Sequence, residues 1–254
     1  YIPAPRTIFQ HIHRLENAHY LHYRLDTQQL TKHCYWTAEP KSADWKQELD
    51  TAICIRTVAD RPLGVFLSGG IDSSTIACRL KYQGFHQLQT FSASFPGSML
   101  DESSVARQIA DTLELSNLEI PIPLTIAKDF EQIIADLDEP FADPSSFPTW
   151  YLSQATTQHV KVVLGGDGGD ELLAGYKRIG KHLRTSWRRL LRLPLPRLND
   201  MVGKGWRKLV EELRLNWLEA YSLRFSGMPR GQRAFLQPIL RTPQVPYWPC
   251  PSLT

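Results

Sequence analysis

The sequence predicts an α/β fold, a parallel sheet with helices on both faces, followed by a mostly helical basic region. Three observations lead there. Short apolar runs and helical stretches alternate four times between residues 44 and 164, the pattern of successive strand–helix–strand units. Two glycine-rich segments stand directly after two of those apolar runs, where parallel sheets receive ligands. Charge also divides along the chain. Residues 1–176 carry 13 Lys/Arg against 22 Asp/Glu, a net of −9, and residues 177–254 carry 16 against 4, a net of +12. The acidic part is expected to hold the folded core and a metal site. The basic part either meets an anionic partner or forms a solvated face.

Each element follows from local pattern. Residues 1–40 are aromatic-rich, and His19-Tyr20-Leu21-His22-Tyr23-Arg24-Leu25 alternates as short strands or an edge hairpin do. Residues 44–59 read as a helix, with Trp45, Leu49, Ile53 and Val58 near one face. Pro62 ends that stretch, and Leu63-Gly64-Val65-Phe66-Leu67 is a short buried strand. A helix follows to about Tyr82, then a strand over 88–95. A helix is expected over 98–115, with Asp101 and Glu102 at its start, where the dipole favours anions. A third strand covers 117–122, helices are expected over 125–137 and 148–159, and a fourth strand covers 160–164. From Tyr176 the pattern becomes basic and helical, with one helix expected over 206–225. Residues 242–254 hold four prolines and no periodicity.

Composition excludes several classes. The 254 residues are 42% hydrophobic and 22% charged, ordinary for a globular chain and unlike a disordered or collagenous one. No run of eighteen apolar residues occurs, so no membrane-spanning helix is expected. Cys34, Cys54, Cys78 and Cys250 are scattered, which favours reduced thiols and a cytoplasmic location over a disulfide or zinc framework. His11, His13, His19 and His22 lack the carboxylate or cysteine spacing of a metal site. Trp187, Trp206 and Trp217 among arginines suit a core better than a nucleic-acid surface. No nucleic-acid or membrane partner is therefore expected. The chain opens at Tyr1 without Met, and it is expected to begin inside a longer protein.

Two segments carry chemistry. Ser68-Gly69-Gly70-Ile71-Asp72-Ser73-Ser74 follows a strand and opens a helix. Glycines there keep Cβ atoms out of the way, and successive N–H groups at the helix start suit phosphate oxygens. Ser68, Ser73 and Ser74 add hydroxyls. Asp72 beside phosphates becomes favourable if a divalent cation sits between them, as Mg²⁺ does with one or two carboxylates. No Lys is present, so this is not a Walker A loop; an ordinary serine-capped turn is the plainer alternative. The second segment, Gly165-Gly166-Asp167-Gly168-Gly169-Asp170-Glu171, follows the fourth strand. In a shared crevice Asp170 becomes the second metal carboxylate, and the glycines admit a base or sugar. Its plainer alternative is a flexible acidic turn.

Leu67-Ser68-Gly69-Gly70-Ile71-Asp72-Ser73-Ser74 resembles the pyrophosphate loop of N-type ATP pyrophosphatases, an adenine nucleotide α-hydrolase-like fold. Together with the run from Val162 to Tyr176 it resembles the synthetase domain of glutamine-dependent asparagine synthetases. Asp138-Glu139-Pro140-Phe141-Ala142-Asp143-Pro144-Ser145-Ser146 looks like that family's substrate-side segment, and Tyr1-Ile2-Pro3-Ala4-Pro5-Arg6-Thr7-Ile8-Phe9 like the tail of its glutaminase domain. On this resemblance residues 1–40 are a glutaminase remnant and linker, 41–180 the synthetase domain, 181–241 a helical basic extension and 242–254 an irregular tail.

The resemblance implies a ligase that makes an amide from an aspartate-like carboxylate, ATP and glutamine-derived ammonia through β-aspartyl-AMP, releasing AMP and pyrophosphate. ATP and Mg²⁺ are its implied cofactors. Ser68, Gly69, Gly70, Ser73 and Ser74 would hold pyrophosphate, and Asp72 and Asp170 would hold Mg²⁺. Leu67, Ala93 and Gly166 would lie at the adenosine end, and Asp167 would be the catalytic carboxylate near the acyl-adenylate. A homodimer is compatible with the full-length family pattern. The chain departs from that pattern in four places. Gly165 stands where a Ser is common, and Asp167 where a Glu is common. The later Arg-Val-Pro-Phe-Leu-Asp segment and the lysine after it are missing, as is the glutaminase cysteine, so a fragment is expected. Open alternatives are a β-lactam-synthetase-like enzyme, a thiolation enzyme (though it lacks paired cysteines) and an ATP-binding fragment without turnover.

Overall fold

The computed structural model describes residue 2, residues 4–39, 42–99, 101–123, 125–141 and 143–186, and residue 221. The chain divides into two compact units, Tyr1–Asp167 and Gly168–Thr254. The helix expected over 206–225 lies outside the described residues apart from Tyr221, which is helical, as does the irregular tail over 242–254.

The first unit opens with the expected hairpin. Strands β1 (His19–Arg24) and β2 (Gln29–Cys34) pair antiparallel, with His19 opposite Cys34 and Arg24 opposite Gln29. The Tyr20 and His33 rings stack at 5.1 Å across the pair. Helix α1 (Trp45–Arg56) follows, capped by Asp44, whose Oδ1 accepts the Lys46 N–H at 3.0 Å.

The main sheet has four parallel strands: β3 (Leu63–Phe66), β4 (Gln89–Ser94), β5 (Ser116–Pro121) and β6 (Val162–Leu164). Their order is β5-β4-β3-β6. Val65 is in register with Thr90 on one side and Leu164 on the other. Helices α2 (Ile71–Tyr82), α3 (Ser103–Thr112), α4 (Phe130–Asp136) and α5 (Ser146–Thr156) complete the unit.

Strand alternation sends successive side chains to opposite faces, and each face has its own core. Val65, Leu67, Leu88 and Leu115 pack with Ile53 of α1, Ala77 and Leu80 of α2, and Ala106 and Ala110 of α3. On the other face Phe91, Ile120, Ile122 and Val160 pack with Leu152 of α5, joined by Phe66 and Val163. Full burial of one such side chain contributes about 1.5–3 kcal/mol. The buried polar groups on β4 are paired: Thr90 Oγ1 donates to Ser116 O at 3.0 Å, and Asn117 Nδ2 donates to Ser92 Oγ at 3.1 Å. The parallel sheet with helices on both faces is therefore as the sequence predicts.

Two helices are shorter than expected. The stretch over 98–115 becomes helical only at Ser103, because Gly97 at φ +80° turns the chain and Asp101 N–H donates to Ser98 O. The stretch over 125–137 begins its helix at Phe130, after a turn in which Asp129 N–H donates to Ile126 O. In the second unit, α6 (Gly169–Leu173) and α7 (Lys177–Ser186) follow one another, and His182 is buried with its ring edge-on to Tyr221 at 5.4 Å. Among the described residues no helix is long and apolar enough to cross a membrane.

Candidate active site

The strand order sets the position of the site. The chain goes from β3 to β4 to β5 in one direction and returns with β6 on the far side of β3. Between β3 and β6 the order reverses, and ligands of open α/β sheets bind beyond the carboxyl ends of strands at such a reversal. The 68–74 loop leaves β3 there and residues 165–167 leave β6 there, so the two segments converge as their placement in the sequence implies. A Cβ built on Gly166 would lie 2.8 Å from Ser73 N and 3.1 Å from Asp72 Cβ. Only a glycine lets these two loops meet so closely.

The 68–74 loop is held by its own serines. Ser73 is buried, and its Oγ accepts the Ser68 N–H at 3.1 Å and shares a hydrogen with Ser68 Oγ at 2.8 Å. Ser68 Oγ in turn accepts the Gly70 N–H at 3.1 Å. Ser74 Oγ donates to Gly70 O at 2.8 Å. The Ser73 and Ser74 hydroxyls are thus engaged within the loop, while Ser68 is exposed at its mouth. Gly70 is the N-cap of α2 with no side-chain cap. Among the described residues the N–H groups of Gly69, Ile71, Asp72 and Ser73 donate to no protein acceptor. A row of free donors at a helix start is the arrangement that receives anionic oxygens.

The two glycines of the loop are small for different reasons. Neither takes a positive φ. A Cβ on Gly69 would sit 3.2 Å from Val105 Cβ and 3.4 Å from Glu102 Cβ, so Gly69 is small because the first turn of α3 packs against it. A Cβ on Gly70 would sit 3.1 Å from Ser68 Oγ. The approach of Val105 and Glu102 had no sequence signal, since it joins the turns after two different strands.

The other expected residues fall as follows. Leu67 is buried in the core and its N–H donates to Phe91 O at 2.8 Å, so only its main chain can serve a ligand. Ala93 lies on β4 opposite Ile120, half-buried. Asp72 is half-buried, and its carboxylate has no hydrogen-bond or ion-pair partner among the described residues. Asp167 is exposed after β6, and its Oδ2 lies 3.3 Å from where a Gly165 Cβ would be. Asp101, at the start of α3, accepts the Ser103 N–H at 3.0 Å and a hydrogen bond from Ser94 Oγ at 3.3 Å. The Ser103 N–H is the main reason its carboxyl is held below the usual range.

Asp170 belongs to the second unit, on α6. Its carboxylate needs the glycine at 175, where a Cβ would run into Asp170 Oδ1. The neighbouring Glu171 is engaged differently. Tyr176 donates its hydroxyl to Glu171, which holds that carboxyl below its usual range and the phenol above it. Among the described residues no group of three His, Cys, Asp or Glu side chains forms a metal cluster. Among the described residues Asp72 offers a carboxylate with no hydrogen-bond or ion-pair partner, while Asp170 on α6 lies close enough to the Tyr176 phenol to raise it. A single unpaired carboxylate beside free N–H donors suits an ion that completes its shell with water and phosphate oxygens.

Comparison with known proteins places the chain. The family model described as asparagine synthase matches residues 44–245. Asparagine synthetase (glutamine-hydrolyzing) 1 of Bacillus subtilis is 31% identical over 187 residues, covering 69% of this chain and 29% of the relative. Amidase chyE of Penicillium rubens is 33% identical over 201 residues, covering 67% of this chain and 30% of the relative. An NH3-dependent NAD synthetase from Campylobacter jejuni superposes with a TM-score of 0.37 at 14% identity, covering 74% of this chain and 99% of that one. The chain spans about a third of the length of the curated relatives it matches. With a family match across well over half of its residues, placed on the strands and loops that build the crevice, the chain belongs to the asparagine synthase family.

Proposed function

We propose that this chain is the ATP-using part of an amide-forming ligase of the asparagine synthetase type. The observation that carries the reading is the contact between Gly166 and the start of α2, which sets free N–H donors and the Asp72 carboxylate beside a second glycine loop at the reversal of the sheet. The polyphosphate of ATP lies over the N–H groups of Gly69, Ile71, Asp72 and Ser73, with Ser68 at the mouth. Leu67, Ala93 and Gly166 frame the adenosine end.

The reaction is acyl adenylation followed by aminolysis. A carboxylate oxygen of an aspartate-like substrate attacks the α-phosphorus, the bond to the β-phosphate breaks, and pyrophosphate leaves into the 68–74 loop. Ammonia then attacks the acyl carbon of β-aspartyl-AMP, AMP departs and the amide forms. Preorganised N–H donors stabilise the charge gathering on the leaving group without reorganising. Asp167 stands near the acyl-adenylate, as a carboxylate that holds the incoming amine and receives its proton. Asp72 and Asp170 are the carboxylates that would hold Mg²⁺, which would neutralise phosphate charge. Glutamine-derived ammonia, a glutaminase domain as its source, homodimer formation and a cytoplasmic setting belong to the same reading, as do the domain limits 41–180 for the synthetase part and 181–241 for the helical extension.

The experiment is an AMP and pyrophosphate release assay on the chain with Mg·ATP, L-aspartate and ammonium chloride, alongside calorimetry with Mg·ATP. Aspartate-dependent AMP release supports the reading. Binding of ATP with no aspartate dependence redirects it to another carboxylate, and no ATP binding refutes it.

A further inference from the structure

Arg14 and Glu139 lie 125 positions apart in the sequence, and Arg14 Nη2 pairs with Glu139 Oε2. The family match begins at residue 44, so Arg14 stands outside the segment that the match covers. Glu139 stands inside it, in the 137–145 loop between α4 and α5, of which residues 137–141 and 143–145 are described. That loop has a defined place. Helix α5 leads into β6, which runs parallel to β3. The N-terminus of α5 and the loop before it therefore lie toward the carboxyl ends of the strands, the edge that carries the 68–74 loop.

The loop is anchored at both ends and strained at one. Asp138 adopts φ +63°, an uncommon conformation for a non-glycine residue, and the Glu139 N–H donates to Leu137 O at 2.7 Å. At the other end Asp143 Oδ1 accepts from Ser145 N at 2.9 Å and from Ser145 Oγ at 2.8 Å. Between these anchors the only partner of the Glu139 carboxylate among the described residues is Arg14. Arg14 is itself fixed, since its N–H donates to Pro5 O at 3.0 Å, and Thr7 Oγ1 donates to Ile12 O at 2.8 Å to close the turn before it. A partly exposed ion pair adds little to global stability. What it can do is hold a strained loop in one shape.

We propose that Arg14 is a positioning residue that, through Glu139, holds the 137–145 loop in the form that receives the carboxylate substrate. That the carboxylate substrate binds beyond the carboxyl ends of the strands rests on the function proposed above, and this loop lies toward that edge. The site is then completed by a side chain from outside the matched family segment, and a chain trimmed to residue 44 would keep the phosphate loop while losing order at this rim.

The test compares the full chain with its Arg14→Glu, Glu139→Arg, Arg14→Lys and Arg14→Glu/Glu139→Arg variants. Three quantities are read: amide hydrogen exchange over residues 138–146, affinity for Mg·ATP, and affinity for L-aspartate in the presence of Mg²⁺ and α,β-methylene ATP. The single charge reversals are expected to raise exchange and weaken aspartate binding, each by about tenfold, with ATP affinity within about twofold. The charge swap and Arg14→Lys are expected to restore both. Unchanged exchange in the single reversals, or a swap that restores nothing, overturns the proposal. A wild-type chain that binds no Mg·ATP refutes the functional reading instead. The exchange data then still decide whether Arg14 orders the loop.

Discussion

Gly166 lies so close to the main chain of Ser73 that a Cβ added to it would stand 2.8 Å from the Ser73 nitrogen. One glycine on the turn after β6 thereby touches the first turn of the helix after β3. The contact joins two segments almost a hundred residues apart and makes them the two walls of one crevice.

A side chain at 166 must push those walls apart. Gly166→Val is expected to lower Mg·ATP affinity by about tenfold to a hundredfold, equivalent to about 1.4–2.8 kcal/mol, while far-ultraviolet circular dichroism keeps its wild-type shape. Calorimetry at matched Mg²⁺ concentration measures it.

Ser73→Ala removes the buried hydroxyl that accepts the Ser68 N–H. Leaving that donor unsatisfied is expected to cost about 1–3 kcal/mol in chemical denaturation. Ser74→Ala removes only a hydroxyl shared between Gly70 O and Ile71 O, and Gly70 O also accepts the Ser74 N–H, so the change is expected to stay within about 0.5 kcal/mol.

Gly69→Val and Gly70→Val separate two reasons for being small. The first pushes into Val105 and Glu102 at the start of α3, and the second meets only Ser68 Oγ. Gly69→Val is expected to lower the unfolding midpoint as well as ATP affinity, and Gly70→Val chiefly ATP affinity. Equal thermal midpoints for the two variants would count against this division.

Legibility followed the range of each interaction. Period-two and helical patterns located all four parallel strands and the hairpin, because burial on sheet faces repeats locally. Helix starts were less visible. The stretch before Ser103 looked helical until Gly97 and Asp101 turned it, and the stretch before Phe130 is a turn closed by Asp129. The glycine loops were legible as a pair, but the reason for Gly69 was not, since Val105 meets it only after the chain has crossed the sheet. The hydroxyl of Ser73 looked like a ligand for phosphate, yet burial commits it to Ser68. The pairing of Arg14 with Glu139 left no local trace at all.

Acid sensitivity follows from Asp50. Arg79 donates to both oxygens of its carboxylate, one bond at 2.6 Å, and tethers α1 to α2. The Arg79 hydrogen bonds hold the Asp50 carboxyl below its ordinary 3.8. A depressed carboxyl contributes stability that is fully present above its unfolded value and is lost as pH falls through the lower folded value. Below about pH 4 the wild type is therefore expected to lose stability more steeply than Asp50→Asn. Urea midpoints across pH 2.5–6, taken as about the relevant window, read the difference.

The claim that the crevice between β3 and β6 is a Mg·ATP site is tested most directly by calorimetric titration of the chain with ATP, with and without Mg²⁺, in wild type and in Asp72→Asn. Asp72 carries a carboxylate with no partner among the described residues, so its replacement is expected to leave the fold intact. Wild type is expected to bind ATP more tightly with Mg²⁺ present. Asp72→Asn is expected to lose most of that Mg²⁺-dependent gain, since the carboxylate proposed to hold the ion is gone. Equal ATP affinity for both proteins, with and without Mg²⁺, would contradict the assignment of Asp72 and of the crevice it lines.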